Sequence, residues 1–166
     1  MKIILKIKTN PISVNSAYYS RNKQYNEKTR IWRANFLIQL QNSYNQHQIS
    51  LLKKSFDPSK HCLRVCFIWY QPKDIIFNKA GQISLRGQDV DNLLKIPTDL
   101  LFDKKYCTEW LSILKGKEAK LYSITSLKNI DLNDKFIIDT RSIKLPSSDD
   151  FHCMVEVEIV DLPTPL

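Results

Sequence analysis

Apolar and polar positions alternate along Lys2 to Lys8, where Ile3, Leu5 and Ile7 fall two apart between mostly polar neighbours; that period predicts an opening β-strand, ended by Asn10-Pro11. Ser13 to Glu27 has no period and is rich in Asn, Ser and Tyr, as a loop would be. From Asn26, a residue type suited to a helix N-cap, the spacing changes. Trp32, Phe36, Leu40 and Tyr44 recur every four residues, with Ile31 and Leu37 widening the stripe, which predicts a helix from Glu27 to Tyr44. The Gln- and Asn-rich positions 39–48 should end it, leaving Leu51-Leu52 to cover an underlying cluster. His61 to Tyr70 has little polar punctuation beyond Arg64 and is rich in Val, Cys, Phe, Ile and Trp. That composition predicts a central strand covered on both faces and closed by Pro72. An excursion through Asn78-Lys79-Ala80-Gly81 then returns by Ile83 and Leu85.

Past Phe102, the spacing of Tyr106, Trp110, Leu111 and Leu114 predicts a short helix ending at Lys115-Gly116. Phe136 to Leu145 and Phe151 to Asp161 read as two strands paired around the turn Pro146-Ser147-Ser148-Asp149. The second alternates most plainly of all: Phe151, Cys153, Val155, Val157 and Ile159 face one way and His152, Met154, Glu156 and Glu158 the other. The expected fold is a single α+β domain over residues 1–166, with a mixed β-sheet, packed helices and at least one partly solvated sheet face.

Composition narrows the class. A 43% apolar chain of 166 residues with seven Phe, seven Tyr and three Trp can bury a core and is not expected to be disordered. No apolar run approaches the roughly 20 residues that cross a bilayer. The opening stretch, interrupted by Lys6, Lys8 and Asn10, lacks the pattern of a signal peptide, so the expected compartment is cytoplasmic, with no membrane partner. Cys62, Cys66, Cys107 and Cys153 then read as structural thiols, not as disulfides or a zinc knuckle, and His47, His61 and His152 form no cluster.

Charge changes the picture more. The net charge of +8 is concentrated at the front: residues 1–60 hold eleven basic side chains against Glu27 and Asp57 alone. Such an excess attracts polyanions in a salt-dependent way, although basic surfaces also serve solubility or meet acidic lipids and proteins. Asn15, Tyr18, Tyr19, Arg21, Lys23 and Tyr25 interleave donors, cations and rings, and Lys28, Arg30 and Arg33 follow on the predicted helix. This set suits gripping phosphates and stacking on an exposed base; the alternative is a surface loop whose tyrosines anchor it to the core.

Within this basic chain, Gly87-Gln88-Asp89-Val90-Asp91-Asn92-Leu93-Leu94-Lys95 sets two carboxylates two positions apart and then a lysine. Mg²⁺ takes oxygen ligands and keeps several waters, so a few carboxylates can hold it against a phosphate. In an extended chain Asp89 and Asp91 point to one side and share an ion. If Asp91 instead caps the following helix, its carboxylate is occupied by backbone N–H groups and the pair diverges. Lys95 is close enough in sequence to offset charge developing on a phosphate.

The segment Asp89-Val90-Asp91-Asn92-Leu93-Leu94-Lys95, with the later Leu132-Asn133-Asp134-Lys135-Phe136-Ile137-Ile138-Asp139, resembles the RusA family of Holliday-junction resolvases. The opening Pro11-Ile12-Ser13-Val14-Asn15 with Tyr18-Tyr19 is also similar. The resemblance implies a small α+β homodimeric endonuclease that uses Mg²⁺ or Mn²⁺ to nick four-way DNA junctions in pairs. It assigns Asp89, Asp91 and Asp134 to metal and catalysis and Lys95 to the catalytic lysine. Asn133 stands where the family often has another Asp, Asp139 matches a further recurrent acid, and Arg86 supplies a positive charge near the first acids. Asn15, Tyr18, Arg21, Lys23, Lys28, Arg30, Arg33 and Arg86 are then the candidate DNA contacts.

Two departures accompany the match. The span from Lys95 to Asp134 implies an insertion at 103–130 carrying Lys104, Lys105, Lys115, Lys117 and Lys120, and Pro97 falls where the family continues a helix. Pro97 predicts either a kink beside Lys95 or a helix restarting at the proline. Two other functions fit the same residues: a type II restriction endonuclease on the resolvase fold, reading base edges of duplex DNA with residues 103–130, or a non-catalytic DNA-binding protein.

Overall fold

The plainest alternation in the chain belongs to an interior strand. In the computed structural model, which describes residues 1–12, 23–83, 93–107, 127–147 and 152–163, β4 (His152–Asp161) lies between β1 (Lys2–Ile7) and β2 (His61–Pro72), antiparallel to both. β3 (Ile137–Ser147) completes the sheet on the far side of β2, parallel to it, so the order is β1-β4-β2-β3. The fold is α+β with a mixed sheet, as expected. The pairing expected between the last two strands is corrected: β3 and β4 do not touch as neighbours, because β2 separates them. β2 supplies both edges they need, and its apolar run makes it the strand best suited to the middle.

Register explains the core. Ile3, Leu5 and Ile7 of β1, Cys153, Val155 and Val157 of β4, and Leu63, Val65, Phe67 and Trp69 of β2 fall on one face and are all buried. Phe67 and Trp69 stack at 6.3 Å between ring centroids. Two helices, α1 (Lys23–Leu40) and α2 (Ser43–Ser55), pack against β1 and add Phe36, Leu37, Leu40, Ile49 and Leu52 to this cluster. Toward β3 the face turns polar, since Thr140, Ser142 and Lys144 sit in register with Val65, Phe67 and Trp69.

The other sheet face is uncovered by the described residues, which corrects the expectation that β2 is buried on both sides. Arg64 is exposed and Cys66, Ile68 and Tyr70 are only half-buried, beside Met154 and His152 on β4 and the exposed Ile143 and Leu145 on β3. His152 lies flat on Tyr70, with 4.2 Å between centroids.

The single helix expected from Glu27 to Tyr44 is two helices. α1 already includes Asn26, so that residue is not its cap, and it stops at Leu40; Asn42 then caps α2, its side chain accepting from the Asn45 N–H at 2.8 Å. Trp32, Phe36 and Leu40 keep the predicted stripe; Tyr44 is exposed because the break after Leu40 rotates the apolar face, and Ile31, ahead of the break, is exposed on α1.

The amide-rich stretch that causes the break is a joint. Asn45, fully buried, accepts from the Lys6 N–H and donates to Lys6 O on the free edge of β1, while Gln39 makes the same pair of bonds with Lys8. Side-chain amides thus satisfy an edge that would otherwise present unpaired backbone groups. Gln41 and Gln46 do likewise for residue 128: both donate to Lys128 O and Gln41 Oε1 accepts the Lys128 N–H.

After β2, a single turn, α3 (Lys73–Ile76), leads to the expected excursion, where Asn78 Oδ1 accepts from the Ala80 and Gln82 N–H groups, Gly81 takes φ 77°, and Phe77 bridges Ile83. Cys62, Cys107 and Cys153 are buried and all four thiols are free. Burial holds the Cys153 thiol well above its ordinary range and pushes Cys107 up to about 11. No helix among the described residues is long and apolar enough to cross a membrane.

Candidate functional site

Lys95 opens α4 (Lys95–Phe102), and Pro97 neither kinks nor restarts it. Within the first helical turn the missing proline N–H is one of the donors that have no intrahelical partner anyway, so Pro97 is accommodated where an interior proline would not be. Thr98 then makes the first hydrogen bond of the helix, from its N–H to Leu94 O at 3.1 Å. One side of α4 goes into the core through Ile96, Pro97, Leu100, Leu101 and Phe102. The remaining side carries Lys95 and Asp99, one turn apart, with Nζ and Oδ2 separated by 3.6 Å.

The end of α4 determines where Asp134 comes to lie. A helix leaves its last carbonyls without intrahelical donors. Here the segment after residue 126 supplies them: the buried Asn129 amide donates to Leu100 O at 2.9 Å and to Asp103 O at 3.1 Å, and the Ile130 N–H donates to Leu101 O at 2.8 Å. Asp131 follows in the left-handed region at φ 52°, a conformation Asp tolerates better than most residues. Asn133 caps a 3₁₀ turn, Asp134–Phe136, by accepting the Lys135 N–H. Asn133 is therefore engaged in local structure, while Asp134 beside it stays exposed.

The outcome is an open cleft of ≈ 350 Å³ lined by Asp99, Phe102, Asp103, Lys104, Asp131, Leu132, Asn133 and Asp134. Of the four predicted active-site residues, Asp134 lines this cleft and Lys95 does not; Lys95 pairs with Asp99, one helical turn further on, and Asp99 lines the cleft with Asp134. Asp89 and Asp91, with Arg86, lie outside the described residues, as do Asn15, Tyr18, Arg21 and the side chain of Lys23. Of the remaining DNA-contact candidates, Lys28 and Arg30 are exposed on α1, and the Arg33 guanidinium lies over the Tyr106 ring at 5.9 Å from its centroid. Asp139 is not part of this cleft. It sits on the open sheet face, holding Arg141 through Nη2 at 2.8 Å and Nε at 3.0 Å.

Sequence reasoning missed Asp99 and Asp131. The first had a signal, a carboxylate four residues after Lys95, where helical neighbours meet. Asp131 had none, since its place depends on how Asn129 docks on α4. Chemically the cleft offers carboxylate and amide oxygens alone as metal donors, which suits a hard divalent cation better than a soft one. No group of three His, Cys, Asp or Glu side chains among the described residues is arranged to hold a metal ion.

Compared by sequence with protein-family models and with curated proteins, the chain matches none.

Proposed function

We propose that the protein is a metal-dependent, structure-selective DNA endonuclease that nicks four-way junctions in pairs, as the resemblance to RusA-family resolvases implies. One observation supports the reading: Asp99, the ion-pair partner of Lys95, lines an open, oxygen-lined cleft together with Asp134, which is remote from both in sequence. Asp89, Asp91 and Asp134 would hold Mg²⁺, with Mn²⁺ as a substitute. The bound ion would supply a Lewis acid to the phosphoryl group and lower the pKa of bound water. The chain's own contribution is the Lys95 ammonium, a fixed positive charge that offsets the negative charge developing on phosphate oxygens. Lys95 pairs with Asp99, which itself lines the cleft.

The reading includes a homodimer, in keeping with a substrate of near-two-fold symmetry. The open sheet face supports it. Its centre is apolar, with Ile68, Ile143 and Met154 side by side, and one end alternates in sign across the strands as Lys2, Glu158, Arg64 and Asp139. A face that alternates in sign can meet a second copy of itself. Sedimentation should give a dimer for the wild type and a monomer for Ile143→Asp; a monomeric wild type would remove this part.

The test of activity offers the protein a labelled four-way junction, a matched linear duplex and a mixed-sequence plasmid, each with Mg²⁺, Mn²⁺ or EDTA. Symmetric nicks confined to the junction and abolished by EDTA are expected. Cuts at one recurring plasmid sequence would replace this reading with a restriction endonuclease, and binding without product on every substrate would replace it with a non-catalytic DNA-binding protein.

A further inference from the structure

A second cleft, larger and of opposite charge, lies alongside the first. It measures ≈ 560 Å³ and is lined by Lys53 and Lys54 from the last turn of α2, by Lys104, and by Lys128, above a floor of Ile49, Cys107 and Leu127. Asp131 is its one carboxylate among the described residues, and it is engaged with Lys104 at 3.7 Å. Two of these lysines complement the C-terminal end of the α2 dipole. That does not account for Lys104 and Lys128, which arrive from other parts of the chain and add to the repulsion. Nor does the arrangement depend on a loose loop, since Gln41 and Gln46 clamp the backbone of residue 128 to the α1–α2 joint and Asn129 fixes the next residue to α4.

Four ammonium groups against one carboxylate, on a concave wall with an apolar floor, focus positive potential into the cleft. The ligand chemistry that answers it is a chain of evenly spaced anions. Lys104 and Asp131 line both clefts, so the basic one is continuous with the cleft holding Asp99 and Asp134. We infer that the basic cleft is a phosphodiester-binding track: it holds the nucleic-acid backbone that flanks the phosphate presented at Asp134. This rests on the nuclease reading for its substrate, and it assigns to Lys53, Lys54 and Lys128 a role that the sequence motifs did not.

The experiment measures binding of a labelled four-way junction and of a linear duplex in EDTA, where no cutting competes, across a series of salt concentrations. Lys54→Glu/Lys128→Glu is compared with Lys73→Glu/Lys79→Glu, an equal change of charge at exposed positions outside the cleft. Thermal unfolding confirms that both variants fold. The track predicts at least a tenfold loss of affinity for the first pair only, with the slope of log affinity against log salt reduced by about 2, since each phosphate contact contributes about 0.9. Equal losses in both variants, no loss in either, or no DNA binding by the wild type would overturn it. Wild-type protein that binds through these lysines yet cuts nothing with Mg²⁺ would overturn the nuclease reading and leave the track standing.

Discussion

The two neighbouring clefts share a wall and differ in almost everything else. One gathers Asp99, Asp103, Asp131 and Asp134; the other gathers Lys53, Lys54, Lys104 and Lys128. Lys104 and Asp131, paired at 3.7 Å, line both. Like charges crowded on either side cost stability, so an arrangement that sorts acids from bases over a short distance runs against what folding alone favours. It suits a phosphate backbone, which needs a cation at the linkage to be cut and ammonium groups along the rest. One segment contributes to both: Asn129 and Ile130 satisfy the end of α4, with Lys128 before them on the basic cleft and Asp131 to Asp134 after them on the acidic one.

The comparison can be broken first on its acidic side. Asp134→Asn should lower cleavage on the order of 10²–10³-fold, the scale expected when one charged group is removed from a transition-state site. Junction affinity in EDTA should stay within a fewfold. A variant that cuts as well as the wild type would remove Asp134 from the site. Lys95→Ala should fall in the same range, with Lys95→Arg retaining more; loss of binding in place of cleavage would make Lys95 a tether only.

Breaking the shared wall comes next. Asn129→Ala strips the α4 end of two hydrogen bonds in a buried place and should destabilise the protein by about 1–3 kcal/mol in urea unfolding. It should weaken both junction binding and cleavage, because both clefts lose their frame. If stability falls while both activities persist, the docking of 129–130 does not set the geometry. Asp131→Asn keeps a residue that accepts the left-handed backbone but removes the carboxylate common to both clefts. DNA affinity should rise a fewfold at low salt, and unchanged affinity would separate Asp131 from the track.

The smallest effect concerns the floor of the basic cleft. Burial raises the Cys107 thiol to about 11, so at neutral pH it is protonated and should react slowly with thiol reagents, later than Cys66, which is half-buried on the open sheet face. Raised above its unfolded value of about 8.5, the thiol contributes stability that is whole below that pH and declines as pH climbs toward 11. Rapid modification of Cys107 in the native protein at pH 7.5 would mean that the cleft opens to its floor.

Local patterns carried much of this fold into the sequence and non-local choices did not. β1 and β4 were legible because each is amphipathic at a period of two, and the turn at Asn78–Gln82 because its residue types dictate it. The break between α1 and α2 was hidden. Its apolar spacing runs on to Tyr44, and only the demands of Lys6 and Lys8 across the core give Gln39 and Asn45 their purpose. The placing of β2 between β3 and β4 is likewise a matter of competing partners. At the site, the motif pointed to Lys95 and Asp134, whereas the grouping of Asp99 and Asp131 with Asp134, and of Lys53, Lys54 and Lys128 with Lys104, depends on how α4 and residues 127–131 dock.

The central claim is that Asp134 shares one metal ion with Asp89 and Asp91. Mn²⁺ titrated into isotopically labelled protein tests it directly through paramagnetic broadening of amide signals. The account predicts early broadening at Asp134 and Lys95 together, lost in Asp91→Asn and in Asp89→Asn. Broadening at Asp134 that survives both substitutions, or none at Asp134 at all, would contradict it.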